Sequence, residues 1–173
     1  MFCYNPSRRF PVLTEPYKNS DEVNQMVRPK QLGHVNIRVR DLEKSEKFYS
    51  EVLGLEVTHR RDRIVFFSLG DLSHELAITP MGDDATGPDS KQIGTNHFAW
   101  EMASFEDLQA MYRQLNDHGV EVHHTRDNTF SVGIYFTDPD GNGNEVYIED
   151  PGAPWRSGTW EGEYRRKLEE VTA

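Results

Sequence analysis

Two histidines and one glutamate offer the most direct chemistry in this chain. His34 lies in Gly33-His34-Val35-Asn36-Ile37-Arg38-Val39, His97 in Thr95-Asn96-His97-Phe98-Ala99-Trp100, and Glu145 in Glu145-Val146-Tyr147-Ile148. Each stretch alternates in the manner of a strand with one face in a core. Val35, Ile37 and Val39 share one face, as do Phe98, Trp100 and Met102, and Val146 and Ile148. The histidines and the glutamate fall on the opposite faces. If those faces line one concave space, two imidazoles and a carboxylate meet as a facial triad. That set suits a borderline divalent ion such as ferrous iron or manganese and leaves coordination positions open. A structural zinc site, by contrast, takes four protein ligands.

The elements that would position these residues occur twice. After the strand holding His34, Asp41 offers a helix N-cap. Leu42, Phe48, Tyr49, Val52 and Leu53 then recur at helical spacing, and Gly54 stops the helix. Leu55-Glu56-Val57 opens a second strand, with two more expected over Ile64–Leu69 and Leu76–Thr79. After His97 the order repeats. Ser104 caps a helix bearing Phe105, Leu108, Met111, Tyr112 and Leu115, Gly119 ends it, and Val120-Glu121-Val122 follows. Val132–Phe136 and Glu145–Ile148 close the unit around the turn Asp138-Pro139-Asp140-Gly141. The pattern predicts an α+β fold of tandem βαβββ modules, 32–81 and 92–150, forming one curved mixed sheet around a metal-binding cavity, with helices outside. Gly82–Ser90, rich in Gly, Asp, Ser and Pro, reads as the linker. Residues 1–31 read as an N-terminal arm. Residues 151–173, with Trp155, Trp160 and Tyr164, read as an aromatic and charged tail that packs on the domain or on another subunit.

At 173 residues the length suits one domain. The net charge of −10, with no basic block, argues against nucleic acid and anionic membranes as partners. No apolar run reaches the length of a membrane span, and no apolar segment follows Arg8 and Arg9 as in a secretory signal. The single cysteine, Cys3, makes no internal disulfide and reads as an incidental thiol, compatible with a reducing cytoplasm.

On these residues, the stretch from about 31 to 150 resembles the vicinal-oxygen-chelate superfamily. Its members include glyoxalase I, fosfomycin- and bleomycin-resistance proteins and type I extradiol dioxygenases. The run Ile134-Tyr135-Phe136-Thr137-Asp138-Pro139-Asp140-Gly141, ending in Glu145, is similar to the extradiol motif. The resemblance implies His34, His97 and Glu145 as metal ligands, His74 as an acid–base residue and Tyr135 as a hydrogen-bond partner of the substrate. It further implies Fe(II), with Mn(II) as the second choice, and a catechol 2,3-type reaction between a small aromatic diol and O2. The protein would then serve aromatic breakdown as a small, single-domain enzyme, and its terminal arms point to a homo-oligomer.

Three departures qualify the match. The motif's histidine normally stands closer to the tyrosine than His123 or His124 does here, so either the loop carries an insertion or that residue is missing. Strand parity with Ala77 and Thr79 favours Glu75 over His74 on the cavity side, unless a bulge or strand-entry position turns His74 inward. Larger extradiol enzymes carry a second pair of modules. The competing readings are a glyoxalase-type lyase or isomerase using Glu75 as a fourth ligand, a drug-sequestering protein without catalysis, and an epoxide-opening resistance enzyme. For the last, no dense cationic phosphonate site is visible.

Overall fold

Alternation of burial along the chain follows the alternation of residue type. We analysed a computed structural model that describes residues 27–89, 91–127 and 131–149. The first module runs β1 (Val35–Val39), α1 (Leu42–Lys47), β2 (Glu56–Arg61), β3 (Ile64–Ser68) and β4 (Leu76–Pro80). The second runs β5 (Phe98–Glu101), α2 (Phe105–Asp117), β6 (Val122–Asp127), β7 (Ser131–Thr137) and β8 (Gly143–Glu149). In β1, Ile37 and Val39 are buried while Asn36 and Arg38 are exposed. Val132, Ile134 and Phe136 of β7 are likewise buried to within 1 %.

The helix ends form where the cap residues stand. The Asp41 carboxylate accepts from the amides of Glu43 (2.9 Å) and Lys44 (3.1 Å), and the Ser104 hydroxyl accepts from the amide of Asp107 (3.0 Å). Gly54 and Gly119 adopt φ of +73° and +68°, the left-handed turn that ends a helix without a Cβ penalty. The helices are not alike. Beyond Lys47, α1 widens into a π-helical turn over Phe48–Val52, closed by a bond from the Leu53 amide to the Phe48 carbonyl. That turn buries Phe48, Tyr49 and Val52.

Each module makes its own four-stranded mixed sheet, β1-β4-β3-β2 and β5-β8-β7-β6, in which only the first and last strands of the module pair in parallel. The mixed α+β class and the doubled βαβββ order are as expected, but the strands divide into two sheets rather than one continuous ladder. β1 and β5 each give one edge to their own module's last strand, and no ladder between the two is formed among the described residues. Side chains join the modules instead. The Arg40 guanidinium meets Asp140 at 2.8 Å, the Tyr49 hydroxyl donates to Asp138 at 2.9 Å, and the Gln114 amide donates to the Val52 carbonyl at 2.7 Å. One apolar core runs through both, with Phe48 against Phe136 at 6.4 Å between ring centres.

Asp138 is 3 % exposed and also accepts from the amides of Asp140 and Asn142 and from the Asn142 side chain. The Asp-Pro-Asp-Gly turn is therefore a buried polar hub as well as a reversal of direction. Burial and the neighbouring Asp138 carboxylate push the Tyr49 hydroxyl well above its usual pKa, so it stays a donor.

The described residues from Gly33 onward belong to one compact unit. The residues expected to form the arm before Val27 (Cys3 among them) and the aromatic tail lie outside the described residues. No described helix is long and apolar enough to cross a membrane.

Candidate metal centre

His97 and Glu145 reach the same spot from adjacent parallel strands. Ala99 of β5 pairs with Glu145 of β8, so a histidine two residues before Ala99 lies on the face where Glu145 projects. His97 Nε2 and Glu145 Oε2 stand 3.0 Å apart. The other ring nitrogen of His97 is 2.7 Å from Asn96 Oδ1, which fixes the ring with Nε2 directed at the carboxylate. Gly133 of β7 keeps this place open, because a Cβ there would collide with Glu145 Oε1. A nitrogen and an oxygen donor converging over bare backbone is a fitting seat for two ligands of one divalent ion.

Tyr135 is the β7 partner of Glu145, and its ring meets His97 edge-on at 5.5 Å. His124 pairs with Tyr135 across the β6–β7 hairpin and stacks on it, with ring centres 4.4 Å apart and planes 11° apart. The long interval between them in sequence is thus the length of a hairpin, and it brings the histidine back to the tyrosine. A cavity of about 410 Å³ opens here, bordered by His97, His123, His124, Tyr135, Asn142 and Asn144 among others, all from residues 88–144. Further along this face lies an acidic group. The Tyr147 hydroxyl has its pKa raised first by burial and then by Glu101, Glu149 and Glu145.

His34 and His74 are brought together elsewhere. Their rings are 4.5 Å apart, and His74 also meets Phe66 edge-on at 4.9 Å. His74 precedes the first residue of β4, so strand parity does not bind it, and its ring lies over the face that carries Phe66. Glu75 turns its carboxylate to the Leu69 amide at 3.0 Å. Among the described residues of one chain, no three His, Cys, Asp or Glu side chains lie close enough to hold a metal ion. The candidate residues therefore fall into two groups: His97 with Glu145, Tyr135 and His124, and His34 with His74.

Two residues here have no place in the sequence reading. Asn96 orients His97, and its position beside a candidate ligand was the available signal. Gly133 shares the strand face of Tyr135, but that a glycine there must yield space to Glu145 emerges only from the fold.

Residues 31–146 match the Glyoxalase/Bleomycin resistance protein/Dioxygenase superfamily, and the chain belongs to it. Among curated relatives, a catechol-2,3-dioxygenase of Bacillus subtilis (strain 168) is 29 % identical over 125 residues, 72 % of this chain and 44 % of that protein. The chain thus spans less than half the length of that relative. A metallothiol transferase, FosB, of Staphylococcus saprophyticus is 32 % identical over 118 residues, 67 % of this chain and 75 % of the relative. In three dimensions, a glyoxylase/bleomycin resistance protein/dioxygenase domain from Frankia sp. EAN1pec overlaps 71 % of this chain and all of its own, with a TM-score of 0.61 and 23 % identity.

Proposed function

We propose that this chain is a cytoplasmic, metal-dependent extradiol dioxygenase that cleaves a catechol-type aromatic diol with O2. The observation that carries this reading is the Tyr135 ring set between His97 and His124, next to the His97–Glu145 pair. It joins a metal-ligating pair to a phenol and an imidazole that can serve a substrate oxygen. His97, Glu145 and His34 would hold Fe(II), or Mn(II) as the second choice. When bound, the ion supplies acidity to the diol hydroxyls and a path for electrons to O2. Tyr135 orients a substrate oxygen by hydrogen bonding. His74, adjacent to His34, accepts a hydroxyl proton and returns one to the product.

Because His34 lies with His74 rather than with His97, this reading takes the third ligand from a second copy of the chain. Mixing His34→Ala chains with His97→Ala chains tests that point. A mixed pair then contains one intact site, so metal binding returns on mixing; two variants that stay inactive together would refute sharing. The reaction itself is tested by O2 consumption with a panel of catechols after anaerobic ferrous reconstitution. Uptake with a yellow ring-opened product is expected, and no uptake with either iron or manganese would remove the dioxygenase reading.

The glyoxalase-type alternative needs a second carboxylate. β4 pairs Ala77 with Asn36 as β8 pairs Glu145 with Ala99, so the position matching Glu145 holds alanine. With Glu75 turned to the Leu69 amide, a three-ligand set is favoured. A thiol transferase would use the same three ligands, and thiol addition to an epoxide without O2 uptake would identify it.

A further inference from the structure

A bulged residue interrupts the pairing of the outer strand in each module: Thr58 in β2 and His123 in β6. The two are put to different use. The Thr58 hydroxyl turns back into the protein and donates to the Ser73 carbonyl at 2.9 Å. The His123 side chain has no hydrogen bond or ion pair with a described residue, and it borders the cavity beside His97. Consecutive residues of a regular strand face opposite ways, but a bulge re-aims one of them. His123 and His124 therefore both line the cavity, and both are exposed to whatever enters it.

A row of side chains leads to them from the metal pair. Glu145 on β8, Tyr135 on β7 and His124 on β6 are ladder partners in turn. Neighbouring strands lie about 4.8 Å apart, so β6 runs roughly 10 Å across the sheet from the Glu145 position. An aromatic ring with a two-carbon arm covers that interval. A diol held beside Glu145, with its ring along the row, presents its far substituent to the two imidazoles. The surroundings there are polar, since Gln92 and Thr95 also border the cavity. A second aromatic ring would call for apolar walls instead. Each imidazole, whatever its charge, presents at least one N–H. Two such donors suit an acceptor with two oxygens, and bonds to an ionised acceptor are the stronger kind. Among the described residues, Asp89 is the one carboxylate bordering the cavity, and it is turned to the Lys91 amide at 2.8 Å.

We propose that the diol taken by this cavity carries a carboxylate on a short arm para to one hydroxyl, and that His123 and His124 receive that carboxylate. This rests on the dioxygenase reading above and names the class of diol within it. The His124 ring is held flat against Tyr135, whereas His123 is held by no described side chain. His123 is thus the specificity-determining member of the two. The first module, with threonine at the bulge, has no counterpart to it.

The test is an equilibrium titration of the ferrous-reconstituted chain under argon, where nothing turns over. The probes are 3,4-dihydroxyphenylacetate, the uncharged 4-ethylcatechol and the cationic 4-(2-aminoethyl)catechol. The acid should bind about tenfold more tightly than the ethyl compound, the scale of one hydrogen bond to a charged group, and the amine should bind most weakly. His123→Thr places the first module's residue at the bulge, and it should remove most of the acid's advantage. His123→Arg should restore or enlarge that advantage. Thermal melts check that both variants fold. Equal affinity for acid and ethyl compound, tighter binding of the amine, or a preference that His123→Thr leaves intact overturns the proposal. The two readings fail separately. O2 uptake with catechols but no preference for the acid removes the carboxylate site and keeps the reaction. A preference lost in His123→Thr without O2 uptake keeps the carboxylate site and removes the reaction. No binding of any of the three diols overturns both.

Discussion

Set side by side, the two modules match strand for strand in order and pairing and differ in the side chains on the faces that carry the histidines. His34 and His97 precede matching strands. His59 faces Phe66 in the first module as His124 faces Tyr135 in the second, and both hairpins shift register just before that histidine. Ala77 stands where Glu145 stands, and Arg38 where Glu101 stands. The first module thus has an imidazole, a phenyl ring and a methyl group where the second has an imidazole, a phenol and a carboxylate. Packing demands are met in both, since Ala77 and Glu145 are both buried. What changes is the number of donor atoms. A repeated fold can hold its frame constant while one copy is equipped to bind and the other to support.

The sharpest way to break this comparison is to make the second module resemble the first. Glu145→Ala should abolish stable metal binding and activity together, measured as bound iron per chain after reconstitution. Retained stoichiometric iron would show that the carboxylate is no ligand. Next in size is His74→Phe, which should keep its metal but turn over about a hundredfold more slowly, the scale of a lost acid–base group. Full activity in that variant would leave His74 as packing for Phe66. Smaller still is Gly133→Ala. The added methyl group must displace the Glu145 carboxylate, so metal affinity should fall by about tenfold, within the range for groups that orient a ligand. The matching position in β3, Ile64, already carries a large side chain on a face with no carboxylate to accommodate.

The smallest effect concerns the join between modules. Tyr49→Phe removes one hydrogen bond to Asp138, which should cost about 1 kcal/mol in denaturant unfolding. The native hydroxyl has a pKa raised above its unfolded value. Its contribution is therefore full below the unfolded pKa of about 10 and is lost as pH rises beyond it. The phenylalanine variant should lose less stability than the native chain between about pH 9 and 11.

Local patterns were the readable part of the sequence. Asp41, Ser104, Gly54 and Gly119 act within a turn of where they stand, so their roles as caps and stops followed from type and position. Strand parity likewise placed His97 and Glu145 on one face. Parity could not say which faces meet, because that depends on how whole modules pack, and among the described residues of one chain His34 does not join His97 and Glu145 in a three-ligand group. The His124–Tyr135 stack was hidden for a different reason. Spacing along the chain measures distance only when no hairpin intervenes, and here the two rings sit on its opposite arms. The conflict between His74 and Glu75 came from extending strand parity past the strand's first residue.

Having alanine rather than glutamate at position 77 bears on electroneutrality. Two neutral imidazoles and one carboxylate cancel half the charge of a divalent cation and leave one positive unit at the centre. A set with a second carboxylate would leave none. In the proposed site such a residual charge would favour a singly ionised, oxygen-rich guest over an uncharged one, and the cavity beside His97 opens on the side where Tyr135 and His124 stand.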